Sequence, residues 1–285
     1  MLNSCERGHG GATLYDCPIM SSPGEGPTGR TKVRIRFSKL GKVRFTSHRD
    51  TARIWERALR RVRAPVAYTE GFSPRPRLSF GLALSTGHES LGEYLDVELG
   101  VPSGAVDVDD LNARLDPALP VGFTVQGATV VEPGTTSLQE AVTSCTWHME
   151  VIGADQGVVG SAVERLLGGD RLVVTRERKG RDVTEDLRPA LLELALLGPT
   201  PSGTELVAEL ATQPRALRPG DLIGALAELV PGAAEGRVCR THQWLDAGDG
   251  RHEPLPAPSG LGDRTLAMAV YPAPNAPATT ELRAS

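Results

Sequence analysis

The sequence predicts an α+β fold of two ferredoxin-like halves in tandem, each with the element order βαββαβ and an antiparallel sheet. One observation is the alternation of apolar and polar residues in segments such as KVRIRFS and GEYLDVEL, which is typical of half-buried strands. The other is helical periodicity in segments that lie between those strands, two in each half. The halves share no sequence identity, so the prediction of a repeat rests on the order of elements alone.

The first half, residues 31–135, follows this order from its first strand. Asp107 stands at the start of the second helix, where its carboxylate can accept hydrogen bonds from free amide groups. The predicted elements are the strand KVRIRFS, a helix at 49–62, extended segments at 64–68 and 77–80, a strand at 92–99, a helix at 105–115 and the strand GFTVQGATVV.

The second half, residues 140–246, repeats the order with an extra hairpin around Lys179-Gly180. Pro219 falls in the first turn of the last helix, where its fixed φ and missing amide hydrogen are tolerated. The predicted elements are the strand SCTWHMEVIG, the helix QGVVGSAVERLL, the hairpin, the strands PALLELALL and TELVAELA, the helix RPGDLIGALAELV and the strand GRVCRTHQWL.

Both ends are predicted to be disordered. Residues 1–30 are rich in Gly, Ser, Pro and Thr, and residues 247–285 are rich in Pro and Ala, without a core pattern in either. Met20 precedes the first strand closely enough to be a natural start, so the first nineteen residues are an expected extension.

Composition and motifs exclude several classes of protein. No apolar run approaches the ~20 residues of a membrane span, and the N-terminus lacks a secretory signal, so we expect a cytoplasmic protein without a membrane partner. The cysteines are scattered without a C-x-x-C pair, which predicts free thiols and neither a metal site nor a cofactor. They are Cys5, Cys17, Cys145 and Cys239.

The helix at 49–62 has one basic face. On a helical projection its arginines span an arc of about 120°, and the apolar residues Ile54, Trp55, Ala58, Leu59 and Val62 lie opposite. Only Asp50 and Glu56 stand against six arginines when Arg63 is included. Like charges four residues apart destabilise a helix, so the pattern predicts an anionic partner. The basic face comprises Arg49, Arg53, Arg57, Arg60 and Arg61.

Charge is distributed unevenly along the chain. Residues 30–80 hold 15 basic and three acidic side chains, a net charge of +12, whereas the whole chain has a net charge of −4. A basic region in an acidic protein is typical of proteins that bind polyanions.

A proline-rich loop, AYTEGFSPRPRLSFG, follows the basic helix. Pro74 and Pro76 restrict its backbone, so arginines and aromatic rings would be presented already ordered. Aromatic rings between arginines suit unstacked bases and phosphates, although these rings would also fit a core with the prolines shaping a turn. The candidate RNA-binding residues here are Tyr68, Phe72, Arg75, Arg77 and Phe80, and the second hairpin adds Arg176, Arg178 and Lys179.

Residues 31–130 resemble the bacterial radical SAM-linked protein family, whose domain has no known function. The resemblance rests on RFTSHRD, the arginine-rich helix, AYTEGFSPRP and LSFG. In one departure, Arg75 stands between the prolines where members often carry His. The resemblance implies a radical SAM protein as partner. Because genes of this family lie near those of ribonuclease E/G and ribosomal proteins, it also implies ribonuclease E/G or ribosome-related factors as further partners. This chain lacks C-x-x-x-C-x-x-C, so another chain would hold the iron–sulfur cluster.

The sequence thus predicts an RNA-binding adaptor that acts with a radical SAM protein in tRNA or rRNA modification or processing. One alternative is an RNA-modifying or RNA-cleaving enzyme that uses His48 and Asp50, since a neutral histidine at a helix N-terminus suits a general base. In a purely structural interpretation, Ser47 and Asp50 cap the helix and His48 hydrogen-bonds to a backbone carbonyl group. Another alternative is a protein–protein interaction module that binds no RNA.

Overall fold

The computed structural model describes residues 29–178, 180–248 and 250–255. The protein is a mixed α+β structure with one large, mostly antiparallel sheet. The helices are α1 (His48–Arg61), α2 (Val108–Leu115), α3 (Leu138–Ala141), α4 (Gln156–Gly168) and α5 (Pro219–Leu229). The strands are β1 (Thr31–Lys39), β2 (Leu78–Phe80), β3 (Glu89–Leu99), β4 (Phe123–Val131), β5 (Val142–Ile152), β6 (Val173–Arg178), β7 (Arg181–Asp186), β8 (Leu191–Pro199), β9 (Gly203–Ala211), β10 (Ala234–Ala247) and β11 (Gly250–His252).

The two predicted sets of strands join in one sheet instead of forming separate sheets. The strand order is β4-β1-β3-β10-β5-β9-β8, while β6 and β7 form a separate hairpin. β3 makes the junction, because it pairs with β1 of the first half and, in parallel, with β10 of the second half at Cys239–Glu89. The short strand β2 also pairs with β3, at Phe80–Leu95. The sheet on which the basic helix packs is therefore continuous with the sheet of the second half.

In the first half, α1 and α2 pack on one face of the sheet. The alternation in β1 places Val33, Ile35 and Phe37 on this face, each at most 1% exposed. Trp55 of α1 is fully buried against Phe37, with ring centroids 4.8 Å apart. The apolar side of the predicted helix is thus buried, and its basic side turns outward.

The second half has its own core between the sheet and the helices α4 and α5. Met149, Leu206 and Leu222 are each fully buried there. Cys145 and Cys239 are buried free thiols. Burial raises the pKa of Cys145 to about 11 and that of Cys239 to about 12, so both thiols are protonated at neutral pH.

Secondary structure continues past residue 246, where the sequence predicts that the second half ends. β11 pairs with the end of β10, and the carbonyl oxygen of Leu255 accepts a hydrogen bond from Arg36 Nη1 at 2.9 Å. Residues 1–28 and 256–285, which cover most of the predicted disordered tails, lie outside the described residues. No helix among the described residues is long and apolar enough to cross a membrane.

Candidate nucleic-acid interface

The two ends of α1 are fixed by local hydrogen bonds. Ser47 caps the start, since its Oγ accepts a hydrogen bond from the Asp50 amide at 3.1 Å. At the other end the Ala64 amide donates to the Leu59 carbonyl oxygen at 3.0 Å, and the Arg63 amide donates to that of Arg60 at 3.1 Å. These bonds form a Schellman motif, which closes the helix.

The basic face of α1, which we call the arginine stripe, is exposed along the helix. Arg53 pairs with Asp50 at 3.2 Å, and Arg61 donates to the Ala118 carbonyl oxygen at 2.9 Å. The other three have no hydrogen bond or ion pair with another described residue. The stripe consists of Arg49, Arg53, Arg57, Arg60 and Arg61, all exposed.

The proline-rich loop is held by its own backbone. The Thr69 amide donates to the Arg75 carbonyl oxygen at 2.9 Å, and the Arg75 amide donates to Thr69 Oγ1 at 3.0 Å. Gly71 has φ of 120°, a conformation that side chains disfavour, so the turn requires glycine there. The ring of Phe72 is fully exposed at the tip, and Tyr68 is 47% exposed.

A groove connects the end of the arginine stripe with the proline-rich loop. It has a volume of about 150 Å³. Arg60 and Arg63 lie on the helix side, Tyr68 and Pro76 lie on the loop side, and Glu56 contributes the acidic side chain. Cationic, aromatic and acidic groups thus meet in one concave surface.

Three of the candidate residues have structural contacts instead of free surfaces. Arg77 pairs with Glu98 at 3.5 Å, and Phe80 is half-buried against the core of the first half. Arg176 donates to both carboxylate oxygens of Asp221, at 3.1 and 2.7 Å, at the start of α5. The side chain of Arg178 and all of Lys179 lie outside the described residues.

Part of the basic charge predicted for residues 30–80 is internal. Arg34 forms a two-point ion pair with Asp96 at 2.8 and 2.9 Å, and Arg36 pairs with Glu253 at 2.7 Å. Lys39 is 3% exposed and donates to the Thr46 carbonyl oxygen at 2.9 Å. Burial lowers the pKa of Lys39. The net charge of +12 therefore overstates the positive charge at the surface.

His48 and Asp50 form no hydrogen bond or ion pair with each other. The Asp50 carboxylate accepts hydrogen bonds from Ser47 Oγ at 2.8 Å and from Arg53 at 3.2 Å, and the bond from Ser47 is the main cause of its lowered pKa. The His48 ring meets the Phe80 ring edge-on, with centroids 5.2 Å apart. No group of three or more metal-ligating side chains occurs among the described residues. Asp50 therefore has the geometry of a capping residue.

Comparison with known proteins assigns the chain to a family. The family described as "Uncharacterized protein conserved in bacteria (DUF2344)" matches residues 32–219. The chain belongs to DUF2344. The matched range includes the arginine stripe, the proline-rich loop and the groove, so this DUF2344 protein carries its candidate interface within the family domain.

No curated protein matches this DUF2344 chain. A solved structure, "Crystal Structure of a Cbf5-Nop10-Gar1 Complex", is similar over 74% of this chain and 48% of that chain, with 8% identity and a TM-score of 0.43. The chain thus spans about half the length of that structure's matched chain. A likeness at this level supports no functional argument.

Two residues of the groove were missed by sequence reasoning. Arg63 entered only the charge count, and Glu56 was noted only as an acid on the helix. The available signal was VRAP, an arginine two residues before Pro65, at the point where a helix commonly ends in glycine. The contribution of Glu56 depends on where the loop returns to the helix, which the local pattern does not determine.

Proposed function

We propose that this DUF2344 protein is an RNA-binding accessory protein that acts with a radical SAM protein in tRNA or rRNA modification or processing. The observation that carries the proposal is the arginine stripe, which is exposed and leads through the groove to an exposed aromatic loop. Arg57 and Arg60 have no partner among the described residues, and Arg49 has only a charge interaction with Asp50. An external polyanion would supply the missing negative charge.

Repulsion within the arginine stripe favours an anionic partner. Arg49, Arg53 and Arg57 are spaced four residues apart, a spacing at which like charges destabilise a helix by a few tenths of a kcal/mol per pair. RNA phosphates would relieve this repulsion and release their counterions. Tyr68 and Phe72 offer ring faces for unstacked bases, which favours single-stranded segments and loops over a regular duplex.

The radical SAM partner is supported by the resemblance of the motifs RFTSHRD and AYTEGFSPRP to that family. The sequence has no C-x-x-x-C-x-x-C motif, so the partner would hold the cluster and carry out the radical chemistry. In this scheme the DUF2344 protein binds the RNA and presents it to the partner.

We further propose that each half is a ferredoxin-like unit. The strand orders β4-β1-β3-β2 and β10-β5-β9-β8 support this interpretation, because each places the first and third strands in the centre. Along the chain, two helices lie between the strands of each half: α1 and α2 in the first, α4 and α5 in the second. The β6–β7 hairpin is an insertion in the second half.

RNA binding is tested by titrating the purified protein into a labelled single-stranded RNA at several salt concentrations. We expect log K to fall linearly with log salt, with a slope of about −0.7 per neutralised phosphate. Absence of RNA binding at low salt would contradict the proposal. If the protein instead bound an acidic protein domain and no RNA, the interaction-module alternative would replace it. Crosslinking in cells followed by RNA sequencing separates the two functions, because only an RNA-binding protein yields crosslinked RNA, and it also identifies that RNA.

A further inference from the structure

Arg63 adopts a backbone conformation that arginine disfavours. Its φ is 54°, and it is the one non-glycine residue with positive φ in the described part of the chain. It occupies the position after the helix where glycine is usual, because a Cβ atom is strained there. Glycine would close the same Schellman motif without strain. Residues held in such conformations often serve a function of their side chain, and the side chain of Arg63 lines the groove.

Glu56 lies in the same groove without a partner. It stands four residues before Arg60, a spacing at which Glu and Arg commonly pair on a helix. It nevertheless forms no hydrogen bond or ion pair with another described residue. The groove therefore combines a free carboxylate, the guanidinium groups of Arg60 and Arg63, and the half-exposed ring of Tyr68.

We propose that this groove is a nucleobase pocket selective for guanine in single-stranded RNA, an inference that rests on the proposed RNA-binding function. Guanine has two adjacent donors, N1–H and the exocyclic amino group, which match the two oxygens of a carboxylate. Its N7 and O6 atoms are acceptors for arginine. Tyr68 provides a ring for stacking. Adenine and cytosine each place an acceptor beside the donor on the same edge, and uracil has a single donor there.

The arrangement assigns a role to each side chain. Glu56 accepts two hydrogen bonds from guanine, which fixes the choice of base. Arg63, and Arg60 from the arginine stripe, donate to guanine acceptors or to the flanking phosphate. The strained conformation of Arg63 places its guanidinium on the groove side of the helix end, and the ordered loop holds Tyr68 opposite.

The test uses the full-length protein and labelled uridine oligomers with one central guanosine, inosine, adenosine or uridine. We expect the guanosine oligomer to bind at least about fivefold more tightly than the uridine or adenosine oligomers, the lower range for a bidentate base contact. Inosine, which lacks the exocyclic amino group, should bind with intermediate affinity. Glu56→Gln should abolish the preference for guanosine, so that the guanosine and uridine oligomers bind with equal affinity. Glu70→Gln is the matched control, because Glu70 is exposed and does not line the groove.

Arg63→Gly separates a binding role from a structural one. We expect weaker binding of the guanosine oligomer together with an unchanged or raised melting temperature, because glycine removes the backbone strain. A lowered melting temperature with unchanged RNA affinity would overturn the role of Arg63. Equal wild-type affinity for guanosine and uridine oligomers, or a guanosine preference that survives Glu56→Gln, would overturn the guanine pocket while RNA binding stands. Failure to bind any oligomer would overturn both proposals.

Discussion

The arginines of the sheet and the arginines of α1 have the same chemistry in opposite surroundings. Arg34, Arg36 and Arg240 lie in strands, are at most 5% exposed, and pair with Asp96, Glu253 and Glu93. The arginine stripe is exposed, and three of its members form no hydrogen bond or ion pair with another described residue. A buried charge without a partner is strongly unfavourable, so the sheet arginines must be paired within the fold.

This difference separates structural charge from charge that is available for binding. Arg34, Arg36 and the arginine stripe all contribute to the basic excess of residues 30–80, but only the exposed stripe can meet an RNA backbone. The comparison predicts that changes in the sheet arginines or their partners alter stability, whereas changes in the arginine stripe alter binding.

The largest expected effect is on the buried pair between Glu93 and Arg240. Arg240 Nη2 donates to Glu93 Oε1 at 2.6 Å, and the Arg240 side chain is 1% exposed. Glu93→Gln removes the negative charge and leaves a buried guanidinium uncompensated, which should lower the free energy of unfolding by about 3–5 kcal/mol. Urea denaturation measures the change.

Asp110→Asn is the matched control, since it removes one carboxylate from an exposed pair. Asp110 and Arg114 are 2.7 Å apart, with side chains that are 54% and 45% exposed. The expected loss is about 0–1 kcal/mol. Equal losses in the two variants would show that burial does not distinguish the two kinds of ion pair.

The next effect is on RNA binding through the loop. Phe72 is fully exposed, so Phe72→Ala should leave the stability unchanged. Loss of a stacked base contact of about 1–3 kcal/mol should lower RNA affinity about fivefold to a hundredfold or more. Fluorescence anisotropy measures the affinity. Phe45→Ala serves as control, because Phe45 is also exposed, at 62%, but lies in the turn before α1. A similar loss for both variants would argue against a specific role of the loop.

The smallest effect concerns His242, whose ring stacks on Trp244 with centroids 4.9 Å apart. Burial lowers the pKa of His242 below its usual value of 6.5. The unfolded chain then binds more protons than the folded protein between these two pKa values, so stability should fall as the pH drops below about 6.5. The free energy of unfolding of the wild-type protein and of His242→Gln, measured across this range, gives the contribution. If the stability of both proteins changed with pH in the same way, His242 would not be the source of the pH dependence.

Local features of the fold were predictable from the sequence. The periodicity of residues 49–62 predicts which side of α1 is buried, and the structure buries Trp55, Ala58 and Leu59 on that side. Asp107 caps α2 as predicted, since its side chain accepts hydrogen bonds from the amides of Asp109 and Asp110. These features depend on residues close in sequence, whose spacing determines the geometry.

Long-range contacts were not predictable in the same way. The single sheet depends on the parallel pairing of β3 with β10, which a pattern within one strand does not encode. Arg176 is a candidate for RNA binding in the sequence, yet it pairs with Asp221, 45 residues away. The groove likewise depends on a loop returning to the end of α1, and on the positive φ of Arg63.

The most direct test of the account reverses the charge of the arginine stripe. Arg53, Arg57 and Arg60 are changed together to Glu, and a control variant changes Arg165, Arg171 and Arg218, which are exposed in the second half, in the same way. Both variants have the same net charge. We expect the control to retain most of the wild-type affinity for single-stranded RNA and the stripe variant to lose binding. Both should stay folded, because the replaced side chains are exposed. Equal RNA affinity of the two variants would contradict the assignment of the arginine stripe as the binding surface.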